Sequence, residues 1–296
     1  MKKSFMLILL LLLSVSLLIA KDIHLEPILV IDDQILDGPH IVAFDPGFER
    51  VLIVDESNYV YVYDLNGEFI FKFGGYGDEN YQFESISGIS VLGTNYIVGD
   101  SYFNKICYFD TSGNFLSKFD LEWSPGNLRA DEDNYLYVSN VYDLTIEIIN
   151  EFQNVVKRIS LPDGYGKEEV IDIEIIGVSW EDDYVFIGDD INDKIVSYDK
   201  DGRFEYEFSS EKFSENSFLS ICYANKLIFV TCENDNSINV FNKKGKLNFN
   251  IGKEGINYGE FTLPMGMDLF SDEELLAVAD YGNNRVQIFD ISDLDY

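Results

Sequence analysis

A strand-turn-strand motif returns six times along the chain: "VLIVDESNYVYVYD", "NYIVGDSYFNKICYFD", "YLYVSNVYDLTIEIIN", "YVFIGDDINDKIVSYD", "LIFVTCENDNSINVFN" and "LLAVADYGNNRVQIFD". The units close on Asp64, Asp110, Asn150, Asp199, Asn242 and Asp290, at intervals of 46, 40, 49, 43 and 48 residues. A period of this kind constrains the fold strongly, because one such unit cannot bury its apolar faces alone and must stack on its neighbours. Five cores are followed by a tight turn and a further strand ("NGEFIFKF", "SGNFLSKF", "FQNVVKRI", "DGRFEYEF", "KGKLNFNI"), whereas the sixth is followed only by "ISDLDY". Four strands per unit at a mid-forties spacing predict an all-β six-bladed β-propeller of four-stranded antiparallel blades. "DIHLEPILVIDD", near the start, has the character of the missing outer strand. The N-terminal strand is therefore expected to pair into the last blade and close the ring, which removes two open sheet edges.

A second repetition lies in the loops. Phe73 to Val91 superimposes on Ile251 to Leu269 at a constant shift of 178 residues, which aligns Gly74 with Gly252, Gly77 with Gly255, Phe83 with Phe261 and Gly88 with Gly266. Shared glycines imply shared backbone bends. An aromatic content of 15%, much of it beside Val and Ile, suits buried pleated strands.

The first 20 residues, "MKKSFMLILLLLLSVSLLIA", combine two lysines, an apolar run and small residues at Ser14, Ser16 and Ala20, the pattern of an export signal. Residues 1–20 are thus expected to be a signal peptide and residues 21–296 one propeller, exported to a periplasmic or extracellular location with no stable membrane span after cleavage. A net charge of −32 excludes nucleic acid and anionic membrane as natural partners. Cys107, Cys222 and Cys232 are too few and too irregular for a disulfide framework; pairing across "YANK" sets Cys222 beside Leu227, and all three read as buried small hydrophobes.

"GKEGINYGEFTLPMGMDLFSDEELLAVADYGNNRVQIFD" resembles an NHL repeat in its glycine loop, its Pro264-Met265-Gly266 step and its Asn284-Arg285-Val286 hairpin. The resemblance extends over residues 22–296, is strongest in the units ending at Asp110 and Asp290, and is weakest from Ser217 to Asn242. It implies a six-bladed propeller that binds a protein or another ligand. Some members of the wider six-bladed group are metal-dependent lactonases or lyases, so fold alone does not assign function.

The turn between second and third strands recurs on one face, and its first position reads Asp55, Asp100, Asn140, Asp189, Cys232 and Asp280. Four carboxylates and an amide on one rim could hold Ca²⁺ or meet a ligand. Equally, Asp and Asn build such turns by accepting backbone hydrogen bonds two residues on, and recurrence in every unit favours that role. Lys105, Lys194 and Arg285, each five residues after an Asp, are expected to form exposed pairs that orient the loops. Arg129 and Asp268 occupy matching positions on innermost strands across the channel, where each is expected to be neutralised by carboxylates of adjacent blades or to orient a ligand. Trp123 and Trp180, near strand ends, are candidate binding-surface aromatics. With only His24 and His40 in the chain, a histidine-ligated zinc site cannot be assembled. The reading is a monomeric, non-catalytic binding propeller for a protein or peptide, needing no cofactor; the alternative is a divalent-metal hydrolase of lactonase type.

Overall fold

Alternate side chains of a strand point to opposite faces, and in this chain both faces are apolar. Within Arg50–Val54, Val51 and Ile53 join one buried cluster while Leu52 and Val54 join another. Strands of this kind need cover on both sides, which a ring of radially packed sheets provides.

The computed structural model describes residues 21–131, 133–140, 142–143, 145–160, 173–178, 184–189, 193–213, 218–232, 235–270 and 274–294. Residues 1–20, expected to be a signal peptide, and Trp180 lie outside them. Two short strands come first, β1 (Lys21–Ile23) and β2 (Leu29–Ile31). Blade 1 is β3 (Ile41–Asp45), β4 (Arg50–Val54), β5 (Tyr59–Asp64) and β6 (Phe69–Gly74); blade 2 is β7 (Ile86–Leu92), β8 (Asn95–Asp100), β9 (Lys105–Asp110) and β10 (Phe115–Asp120). Blade 3 is β11 (Pro125–Ala130), β12 (Leu136–Asn140), β13 (Thr145–Ile149) and β14 (Val155–Ser160); blade 4 is β15 (Ile173–Val178), β16 (Tyr184–Asp189), β17 (Lys194–Asp199) and β18 (Phe204–Ser209). Blade 5 is β19 (Phe218–Ala224), β20 (Leu227–Cys232), β21 (Ile238–Asn242) and β22 (Leu247–Ile251); blade 6 is β23 (Pro264–Phe270), β24 (Leu275–Asp280) and β25 (Arg285–Asp290). Each innermost strand packs on the next, and β23 packs on β3, so the ring is closed.

Closure follows the expected route. β2 pairs antiparallel with β25, Leu29 opposite Ile288 and Ile31 opposite Val286, and completes blade 6. β1 does something the sequence reading missed: it pairs parallel with β22, Lys21 opposite Phe249 and Ile23 opposite Ile251, giving blade 5 a fifth strand. Pro27 separates the two, since it has no N–H to offer a ladder. The N-terminal segment therefore ties down two blades.

Six apolar clusters occur among the described residues, one in each space between neighbouring blades. Of the repeated glycines, Gly88 and Gly266 sit where an inner strand lies against the neighbouring blade. A Cβ on Gly88 would lie 2.8 Å from the Leu128 amide nitrogen of blade 3, and one on Gly266 would lie 2.6 Å from the His40 carbonyl oxygen just before blade 1.

The three cysteines are buried and free. Their register differs from the expected one: Ala224 faces Leu227 and Cys222 faces Phe229, because Asn225 and Lys226, with φ of 53° and 63°, make a tight two-residue turn. Burial pushes the Cys107 and Cys222 thiols up to about 12, and each S–H points at a carbonyl, of Asn80 and Met267 respectively. Burial likewise raises the Tyr63 and Tyr96 phenols. These groups hold their protons in the folded state at pH values where the unfolded chain releases them, so the unfolded state binds fewer protons and stability falls as pH rises. The unfolding free energy from urea titration is expected to stay level up to about pH 8.5 and to fall between about pH 9 and 12, by up to ~1.4 kcal/mol per pH unit for each group, with the midpoint falling in step. C107A/C222A should flatten the early part of that fall. A midpoint that holds to pH 11 would contradict the assignment.

Candidate functional site

In this ring one face carries the turns between second and third strands together with the loops that lead from blade to blade; it is called the loop face. The opposite, hairpin face carries the turns between first and second strands. Each offers a candidate site.

On the loop face, Asp55, Asp100, Asn140, Asp189 and Asp280 are all fully buried. Their oxygens fasten turn to loop. Asp55 accepts from the Asp37 amide at 3.1 Å, Asp100 from Glu84 at 3.1 Å and Asp280 from Thr262 at 2.8 Å, each of these amides belonging to the loop that leads into the blade. The same carboxylates also accept within their own turns, from Ser57 for Asp55 and from Tyr102 and Phe103 for Asp100. Asn140 accepts from the Tyr142 and Asp143 amides. These bonds of Asp55, Asp100, Asn140 and Asp280 are all made to the fold itself, which is the turn-building role.

Two of the three basic residues five positions on are not the exposed pairs expected. Arg285 is 5% exposed; its Nε donates to Asp280 at 2.7 Å, and its Nη atoms donate to the carbonyls of Ile256, Asn257 and Glu260 in the glycine loop. Lys105, also buried, donates to the carbonyls of Glu79 and Gln82 and lies 4.0 Å from Asp100. The glycine loops of blades 2 and 6 have the same fold, with parallel bridges Tyr76 to Phe83 and Glu254 to Phe261, so one buried cation holds each. Lys194 pairs with Glu207 on the neighbouring strand. Burial pushes the Asp280 carboxyl above the ordinary range, opposed by the Thr262 amide, Asn283 and Arg285.

The loop face presents aromatics to solvent. Tyr76, Tyr81 and Tyr258 stand on the glycine loops, and Tyr102, Phe103 and Tyr142 follow the buried rim residues. Tyr102 and Tyr142 are 67% and 72% exposed. Among the described residues the comparably exposed aromatics at the hairpin end are Phe48, Tyr135 and Phe152 on turns, with Phe69 and Phe204 at the starts of the outer strands β6 and β18. The Tyr76 hydroxyl donates to Glu84 at 2.9 Å and the Tyr281 hydroxyl to Glu56 at 2.9 Å, which fixes both rings beside carboxylates. Sequence reasoning missed this set; the signal was an aromatic two or three positions after the turn Asp or Asn, outside any strand alternation. Trp123 is half-buried against the cluster between blades 2 and 3.

At the axis the structure corrects another expectation. Arg129 of β11 and Asp268 of β23 are not neutralised by adjacent blades; they pair with each other, Nη1 to Oδ1 at 3.0 Å, from blades 3 and 6 on opposite sides of the ring. Arg129 Nη2 also donates to the Met267 carbonyl at 2.7 Å, and Asp268 Oδ2 accepts from the Phe44 amide at 2.7 Å. Burial raises the Asp268 carboxyl, while Arg129 and that amide pull it back. On the hairpin side of this pair opens a cavity of about 500 Å³. Among the described residues no group of three or more His, Cys, Asp or Glu side chains converges as a metal site.

A family described as 6-bladed beta-propeller (DUF5128) matches residues 209–296. The β-propeller domain of Cps50 (Swd1) from Myceliophteria thermophila is similar in fold at a TM-score of 0.63 and 10% identity, over 90% of this chain and 100% of that one. Hydrazine synthase from Kuenenia stuttgartiensis gives 0.62 and 15%, over 88% and 78%. No curated protein matches the chain. At these identities the likeness is one of fold, and the fold is a six-bladed propeller.

Proposed function

We propose that this protein is an exported, non-catalytic binding propeller of NHL type whose loop face recognises a protein or peptide. One observation carries the reading: six exposed aromatics stand on loops that buried carboxylates, the Asn140 amide, Lys105 and Arg285 hold from beneath. Aromatic side chains supply a large share of binding energy at protein interfaces. Loops already fixed in one conformation lose less entropy when they bind. The charge of −32 directs the choice of partner towards neutral or basic surfaces and away from nucleic acid.

The test is affinity capture from the native envelope, followed by measurement of the captured partner against variants. Y102A/F103A/Y142A is expected to weaken binding by at least about 30-fold, from roughly 1 to 2 kcal/mol at each of two or more anchoring aromatics, with an unchanged thermal transition. Chelator should leave capture unaffected. Full binding by the triple variant, with loss on F48A/Y135A/F152A instead, would move the interface to the hairpin face and overturn the reading.

A further inference from the structure

We propose that the axial cavity on the hairpin face is a second binding site, for a neutral, hydroxyl-rich molecule of monosaccharide size. It lies on the opposite face from the proposed protein interface and does not depend on it. Four inner strands form it with their C-terminal ends, β3, β7, β11 and β23. Its volume of about 500 Å³ falls within the range of about 300–1,000 Å³ usual for small-molecule sites.

The lining selects the ligand by charge. Among the described residues Arg129 is the one cation lining the cavity, against the carboxylates of Asp268 and Asp131. The local excess is negative in a protein already at −32, which disfavours a carboxylate or phosphate. A cation would meet the guanidinium of Arg129, while both carboxylates are engaged, Asp268 with Arg129 and Phe44, Asp131 with the Tyr135 amide and the Tyr137 hydroxyl. A neutral molecule avoids both penalties.

The lining also selects by hydrogen bonding. A guanidinium has five N–H donors, and Arg129 gives one to Asp268 and one to Met267; the rest have no acceptor among the described residues. Each carboxylate has about four lone-pair sites, so Asp131 and Asp268 retain acceptor capacity beyond their bonds. Unused donors and unused acceptors side by side suit the hydroxyl group, which is both at once. The apolar part of the wall, Phe44, Phe270, Leu269 and Val91, offers a surface for the C–H side of a sugar ring.

The experiment uses the exported chain and NMR amide shifts, with glucose, galactose, mannose and N-acetylglucosamine as probes. Acetate, citrate and methylamine serve as charged comparators. Titration extends to about 50 mM, well above the millimolar Kd of a weak small-ligand site. At least one sugar is expected to give saturable shifts in residues 43–47, 90–93 and 129–134. R129M/D268N, which removes both charges together so that no buried ion is stranded, should weaken that binding at least about tenfold. Pro46→Trp, at an exposed position of the cavity wall, should obstruct the cavity without touching the core. Both variants should keep loop-face capture. The proposal is overturned if no sugar shifts these amides, if a charged comparator saturates them and the sugars do not, or if both variants bind sugar as well as the parent.

Discussion

Removal of residues 22–34 is expected to produce aggregates or strand-exchanged oligomers that the full chain does not form. Without β2, the β25 edge from Arg285 to Asp290 presents unpaired N–H and C=O groups, an invitation to another chain. The deletion also strips apolar cover from two interblade clusters. Leu29 and Ile31 leave the cluster between blades 6 and 1, and Ile23 and Leu25 leave the one between blades 5 and 6. Burial of one large aliphatic side chain such as Ile31 contributes about 1.5–3 kcal/mol, and the partly buried Leu29, Ile23 and Leu25 contribute less each, so the loss is several kcal/mol against a total stability of about 5–15 kcal/mol. Size-exclusion chromatography with light scattering reads the result. A truncated monomer with an unchanged unfolding transition would contradict it.

Replacing Arg285 by Met should cost about 3–5 kcal/mol, because it removes the cation paired with the buried Asp280 carboxylate and leaves the Ile256 carbonyl without a donor. For a domain of this size the thermal midpoint drops by on the order of 10 °C. R285M/D280N, which discards the charge as well, should recover part of the loss. The exposed pair of Lys118 with Asp120 gives the contrast: K118M should change stability by no more than about 0.5 kcal/mol. Equal effects of R285M and K118M in urea denaturation would remove the buried strut from the account.

The architecture was legible because it repeats. Six copies of one strand-turn-strand pattern and an outer strand short at one end leave few arrangements that bury all the apolar faces. β1 escaped notice because "DIHLEPILVIDD" reads as one strand unless Pro27 is given its full weight. Arg285 and Lys105 were misread as exposed because a base near a carboxylate looks like a surface pair; what buries them is a ring of carbonyls from a loop some 25 residues earlier. Arg129 and Asp268 could be aligned across the axis from their repeat positions. That they reach each other depends on channel width, which no local pattern encodes. The Cys222 register depended on where the chain turned, and two left-handed residues, Asn225 and Lys226, tightened that turn.

Hydrogen exchange along the N-terminal segment tests the closed ring most directly. If β2 is an integral strand of blade 6, peptides covering residues 28–31 exchange only through global unfolding, at the rate of β24 and β25. Exchange of those peptides within seconds, beside a protected β24, would show a ring held shut by something other than this strand.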